Sequence, residues 1–243
     1  IDSATDHYGA IDANIKATVS LLHAASINSV KRFIYFSTAH VYGSPFVGNI
    51  TEQQLPKPVH PYAITHRCTE DYMLAICKQS NMVGIVIRLS NSLGAPKDHL
   101  INRWTLVGND LCQQAINDKQ LVLKGPGSIC RDFVTMHDVV RVTRHFIETD
   151  SDLVQGGIFN VGGNQVLSVN DLAKMIASNC QNLYGYKPKI ICANDQGDIH
   201  PNVFHYAVDK LVNTGYVLQG DLDDEISQTL RFCYEQRNIE QHV

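Results

Sequence analysis

The apolar positions of this chain change period several times, and each change marks an element. From Tyr8 to Ser26, Ile11, Ile15, Val19, Leu22 and Ala25 recur at three- and four-residue steps, the spacing of an amphipathic helix. Val30 to Ser37 is a short, nearly continuous apolar run, the pattern of a parallel strand covered on both faces. Ser44 to His60 carries Pro45, Gly48, Pro56 and Pro58 and reads as a loop. Pro61 then introduces a helix from Tyr62 to about Ser80, and residues 82–89 form a second buried strand. Further on, the pattern predicts a helix over 101–118, a strand at Leu121–Leu123, and a helix from about His137 to Glu148 after Phe133-Val134. A strand at Phe159–Val161 ends at Gly162-Gly163. Ser168, with Asp171 three residues on, is a capping-box-like start for a helix to about Asn179. An edge strand at Lys189–Cys192 and a helix over Asp223–Gln236 complete the series.

Helix and strand alternating in this rhythm imply an α/β fold, a parallel sheet with right-handed crossovers. The 243 residues suffice for one large domain or a domain with an appended lobe. A net charge of −4 offers no electrostatic case for nucleic acid or an anionic membrane surface. Seven scattered cysteines, odd in number and without metal-ligand spacing, point to small buried side chains in a reducing compartment and to no metal site. The sequence has no apolar run of membrane-spanning length, and its first residues do not look like a signal peptide, so a cytoplasmic protein is expected.

The candidate chemistry lies in Ser37-Thr38-Ala39-His40-Val41-Tyr42-Gly43 and in Pro61-Tyr62-Ala63-Ile64-Thr65-His66. Thr38 follows an apolar strand, and Tyr62 opens a helix 24 positions later. Tyr62 and His66 are four apart and share a helix face. A tyrosinate can take a proton from an alcohol, although free tyrosine has a pKa of about 10. A nearby hydroxyl such as Thr38 can orient the same oxygen. Arg131 suits bidentate recognition of an anion, with pairing to neighbouring Asp132 as the competing reading.

These segments resemble the extended short-chain dehydrogenase/reductase family, the NAD-dependent epimerases and dehydratases of nucleotide sugars. The resemblance continues in Asn14-Ile15-Lys16-Ala17-Thr18, Arg88-Leu89-Ser90-Asn91-Ser92-Leu93-Gly94, Arg131-Asp132-Phe133-Val134 and Phe159-Asn160-Val161-Gly162-Gly163, all in family order. It implies a partial Rossmann-like parallel sheet flanked by helices, with a smaller mixed C-terminal substrate-binding lobe. Residues 1–95 would be the C-terminal half of the dinucleotide-binding domain, and 96–243 mainly the substrate lobe, with roughly 131–163 returning to the Rossmann core. By the same resemblance Thr38, Tyr62 and His66 are catalytic, and Tyr62, His66, Asn14 and Ser37 meet the cofactor, NAD or NADP. Asn91, Arg131 and His40 would meet a nucleotide-sugar substrate. A homodimer through the helices at 9–26 and 62–79 is implied as well.

Four departures from the family pattern shape the expected function. His66 stands where the family has lysine, so a Tyr62-based activity is expected to show a higher apparent tyrosine pKa than a lysine-bearing homologue. Ala39 and His40 replace the Asp-Glu pair of the dehydratases, which favours an epimerase, or else a 4-keto-sugar reductase. Gly197-Asp198-Ile199-His200-Pro201-Asn202 lacks the arginine that often follows Gly-Asp, leaving His200 or Lys210 to compensate. The one glycine before Thr38 is Gly9, so the glycine-rich phosphate-binding turn is missing. That suggests an N-terminally incomplete chain. The alternative is a non-catalytic module that binds a nucleotide sugar or a partner.

Overall fold

A computed structural model describes residues 5–98, 101, 104–154, 157–192 and 203–240. A first helix begins at α1 (His7–Ala10), runs through a π-helical stretch at Ile11–Lys16 and continues as α2 (Ala17–Ile27). Then come β1 (Arg32–Thr38), a 3₁₀ turn at Ala39–Tyr42, β2 (Gly48–Ile50), α3 (Pro61–Gln79), β3 (Val83–Leu89) and β4 (Asn91–Leu93). The middle of the chain holds α4 (Val107–Asn117), β5 (Gln120–Leu123), β6 (Cys130–Thr135), α5 (Met136–Glu148), α6 (Ser151–Val154) and β7 (Gly157–Val161). The remainder holds β8 (Val166–Ser168), α7 (Val169–Tyr184), β9 (Lys189–Cys192), β10 (Phe204–Tyr206), α8 (Asp209–Val212) and α9 (Leu222–Glu240).

The chain divides into two compact units, the first made of 1–90, 141–161 and 204–217 and the second of 91–140, 162–203 and 218–243. In the first unit, β1, β3 and β7 form a parallel sheet in the order β1-β3-β7, with Phe33 opposite Gly84 and Ile85 opposite Gly157. Alternation sorts the strand residues onto two faces. Phe33 and Tyr35 of β1, Val86 of β3 and Ile158 of β7 join a cluster with Leu22 of α2 and Met73 and Cys77 of α3. Phe159 therefore faces the other way, and its ring meets Phe146 of α5 at 4.8 Å. This is the helix-flanked parallel sheet that the alternating pattern implied. A parallel β2–β10 pair completes the unit.

The second unit has a three-stranded sheet in the order β4-β6-β8, with β4 parallel and β8 antiparallel to β6, and a parallel β5–β9 pair. Its core joins α4, α7 and α9 through Leu111, Ile116, Leu172, Ile176, Ile226 and Leu230, with Leu121 and Phe133 from the strands. Each such side chain contributes about 1.5–3 kcal/mol on full burial.

Several elements differ from the sequence reading. The helix expected over 101–118 starts only at Val107, because Leu106 is extended (φ −72°, ψ 132°) and Trp104 and Thr105 sit in a turn. The expected loop at 44–60 contains β2, whose partner β10 lies more than 150 positions away. Three-residue strands such as β2, β4, β8 and β10 are too short to carry a readable period. Among the described residues, no helix is long and apolar enough to cross a membrane.

Candidate active site

In the first unit β1 delivers Thr38 to the start of the 3₁₀ turn. Thr38 is buried and extended, and its Oγ1 accepts a hydrogen bond from the His40 backbone N–H at 3.2 Å. The turn ends at Gly43, where φ is +96° and a Cβ would crowd the Lys57 carbonyl, so only glycine fits. Tyr42, one residue earlier, is buried. It donates to Asn160 Oδ1 at 2.6 Å, lies 4.8 Å beneath the Arg88 guanidinium, and has its pKa pushed up to about 12 by desolvation. That makes it a packing residue. His40 is exposed and stacks on Phe46.

Helix α3 packs on β1 and on this turn. The His60 side chain caps it by accepting from the Tyr62 N–H at 3.2 Å, and Pro61 fills the first position, where no N–H is needed. Tyr62 is 38% exposed, so its phenol is within reach of a ligand. One turn on, His66 packs edge-on against the Tyr62 ring, with centroids 4.4 Å apart. The His66 Nδ1 lies 2.8 Å from the Tyr35 hydroxyl. Burial pulls the His66 pKa down to about 4, against a smaller opposing pull from Glu70. At neutral pH the residue in the lysine's place is therefore an uncharged imidazole.

Two residues expected to meet a cofactor are tied into the protein itself. Ser37 donates to Glu70 Oε1, and Asn14 Nδ2 donates to Thr65 Oγ1 at 2.9 Å, joining the π-helical stretch to α3. Glu70 is the residue the sequence reading passed over. Fully buried, it accepts from Arg88 through Nε at 3.0 Å and Nη2 at 2.7 Å, and from Arg67 at 3.1 Å. A readable signal existed, since Glu70 lies eight residues beyond Tyr62, two turns along α3. Lys210 donates to the Ile158 carbonyl at 2.7 Å and covers the Phe159 ring. Residues 197–202 lie outside the described residues.

In the second unit β4 and β6 bring Asn91 and Arg131 together. Arg131 Nη1 donates to Asn91 Oδ1 at 3.2 Å, and Asn91 Nδ2 donates to the Asp132 carbonyl at 3.2 Å. The Asp132 carboxylate accepts from the Gly163 and Gln165 backbone N–H groups at 2.9 and 3.1 Å. Among the described residues Arg131 makes no ion pair, and burial alone lowers its pKa. It lines a cavity of about 230 Å³ with Val107, Asp110, Val122, Lys124 and Ile129. A half-desolvated guanidinium with one neutral partner is prepared for an anion.

The chain matches the NAD dependent epimerase/dehydratase family over residues 2–162. It is 27% identical over 190 residues to a putative UDP-arabinose 4-epimerase of Arabidopsis thaliana, a match covering 71% of this chain and 42% of the relative. It is 28% identical over 163 residues to YtcB of Bacillus subtilis, an uncharacterized UDP-glucose epimerase, covering 67% of this chain and 49% of the relative. The chain thus spans under half the length of these curated relatives. Among solved structures, UDP-glucuronic acid 4-epimerase from Bacillus cereus in complex with NAD superposes with a TM-score of 0.80 at 24% identity, over 96% of this chain and 71% of that one. UDP-glucose 4-epimerase of Thermotoga maritima gives 0.80 at 23% identity, over 98% and 74%. At these identities the structural likeness is one of fold. The family match, which covers well over half of the chain, goes further: this protein is a member of the NAD dependent epimerase/dehydratase family.

Proposed function

We propose that this protein acts on nucleotide-linked sugars as an epimerase, by Tyr62-mediated proton transfer coupled to hydride transfer at a sugar carbon. The observation that carries the reading is the accessible Tyr62 in the first turn of α3, the helix that packs on the strand ending in Thr38. Thr38 orients the sugar hydroxyl and Tyr62 moves its proton. NAD(P), if bound, would supply a nicotinamide able to take up and give back the hydride. This chain's residues fit that group in part. Tyr62 and His66 suit the nicotinamide ribose, His66 as a neutral hydrogen-bonding group. Within the second unit, the Arg131–Asn91 pair is suited by itself to an anion such as a diphosphate. The UDP-sugar epimerases among the relatives support a uridine nucleotide.

A 4-keto-sugar reductase is a second reading, favoured by the uncharged His66. With an uncharged imidazole in the place of an ammonium, a phenol is better suited to donating a proton to a keto oxygen than to removing one from an alcohol. The test is turnover of UDP-hexoses with NAD and of UDP-4-keto-hexoses with NADPH by wild type, Tyr62→Phe and Thr38→Val, alongside calorimetry of UDP binding to Arg131→Met. Loss of turnover by at least about 100-fold in Tyr62→Phe, with UDP binding retained, is expected. Full turnover in Tyr62→Phe sinks the assignment. In His66→Lys the alkaline shift of the pH–rate profile is expected to disappear.

A further inference from the structure

We infer that Tyr35 is a positioning residue that fixes the tautomer of His66, so that the imidazole presents an Nε2–H donor beside Tyr62. The inference deepens the reading of Tyr62 and His66 above and rests on it for its meaning in catalysis, although its geometry stands independently. Tyr35 lies on the face of β1 that α3 covers. Its hydroxyl and His66 Nδ1 are 2.8 Å apart, with ring centroids 5.7 Å apart. One of the two must donate. A phenol is a far stronger acid than a neutral imidazole N–H, and an imidazole nitrogen is a far stronger acceptor than a phenol oxygen. The proton therefore stays on Tyr35 and points at Nδ1, which places the imidazole proton on Nε2.

The surroundings act in the same direction. Burial raises the Tyr35 pKa well above its ordinary value, against a smaller opposing pull from a hydrogen bond with Thr69, so the hydroxyl keeps its proton, and of these two side-chain partners the imidazole nitrogen is the stronger acceptor. The groups that touch His66 or act on its charge are Tyr35 from β1 and Tyr62 and Glu70 from α3. Glu70 alone among them is acidic, and its carboxylate is already held by Arg88, Arg67 and Ser37. Among the described residues Nε2 of His66 has no hydrogen-bond partner. It is left for a ligand. A lysine at this position would bring a charge and three rotating donors. The Tyr35–His66 pair instead brings one donor, without charge and in a fixed direction, so it suits a neutral acceptor such as a ribose hydroxyl oxygen.

Long-range proton–nitrogen correlation spectra of the histidine-¹⁵N-labelled chain read the tautomer directly, with His66→Gln identifying the signal among the eleven histidines. The expected result at neutral pH is an unprotonated Nδ1 and a protonated Nε2. In Tyr35→Phe the two nitrogens should move toward an averaged pattern and the titration of His66 should shift upward, because a donor that required the neutral ring is gone. An Nδ1–H tautomer or an imidazolium in wild type overturns the inference even if the variant does not fold. So does a folded Tyr35→Phe with unchanged tautomer and titration. Because the readout needs neither cofactor nor turnover, a protein that fails the activity test can still pass this one, and the reverse.

Discussion

Glu70 shows how much one buried carboxylate can organise. It ties the end of β1 through Ser37, the end of β3 through Arg88, and its own helix through Arg67. Both Glu70 and Arg88 are essentially inaccessible, at 0% and 1%. Removing one member would leave the other charged and unpaired, and Nη1 of Arg88 already lacks a partner among the described residues. Glu70→Ala is therefore expected to cost about 3–5 kcal/mol, read as a lower urea midpoint. Arg67→Ala, at a 29% exposed side chain, should cost far less. His66 adds a pH dependence. Its pKa falls from 6.5 to about 4 on folding, so above 6.5 both states are neutral and nothing is lost. As the pH drops toward 4 the unfolded chain takes up a proton that the folded one refuses, and stability declines by up to about 3 kcal/mol. Urea unfolding at neutral and mildly acidic pH should show this loss, and His66→Gln should reduce it.

At the level of elements, local chemistry explains the starts and stops best. The hydroxyl of Ser168 accepts from the Asp171 N–H at 3.0 Å, and Gly185 at φ +74° ends the same helix in the left-handed region. Ser168→Ala is expected to destabilise the second unit by about 1 kcal/mol, measured by the shift of its thermal transition. This cap was legible because its partners are three residues apart. So was α3, where Pro61 and the apolar period agree. The start of α4 was not, since no side chain caps it and the apolar residues before Val107 follow a helical spacing without being helical. The middle of the first helix was read as regular, whereas Ile11–Lys16 is π-helical and buries no residue, Ile11 of the expected apolar face being exposed.

For the whole molecule, exposed apolar side chains on two packed helices bear on assembly. Tyr8, Leu21 and Ile27 on the first helical stretch are 84%, 61% and 83% exposed, and Ile64 and Tyr72 on α3 are each 49% exposed. We propose that a second copy covers this surface, as the family resemblance implies. Sedimentation should show a dimer that Leu21→Asp with Tyr72→Asp converts to monomer. A wild-type monomer at all concentrations counts against the proposal.

Sequence alone determined what is encoded within a few residues. That includes most of the helices and longer strands with their order, the Ser168 cap, and the placement of Tyr62 and His66 on one helix face. It also carried the family, through motifs in fixed order. Tertiary structure alone decided that Tyr35 meets His66, that Ser37 and Arg88 converge on Glu70, that Arg131 turns to Asn91 rather than Asp132, and that β2 pairs with β10. The reason is physical. Periodicity tells which side of an element a residue occupies, but it is silent on which distant element will cover that side and in what register.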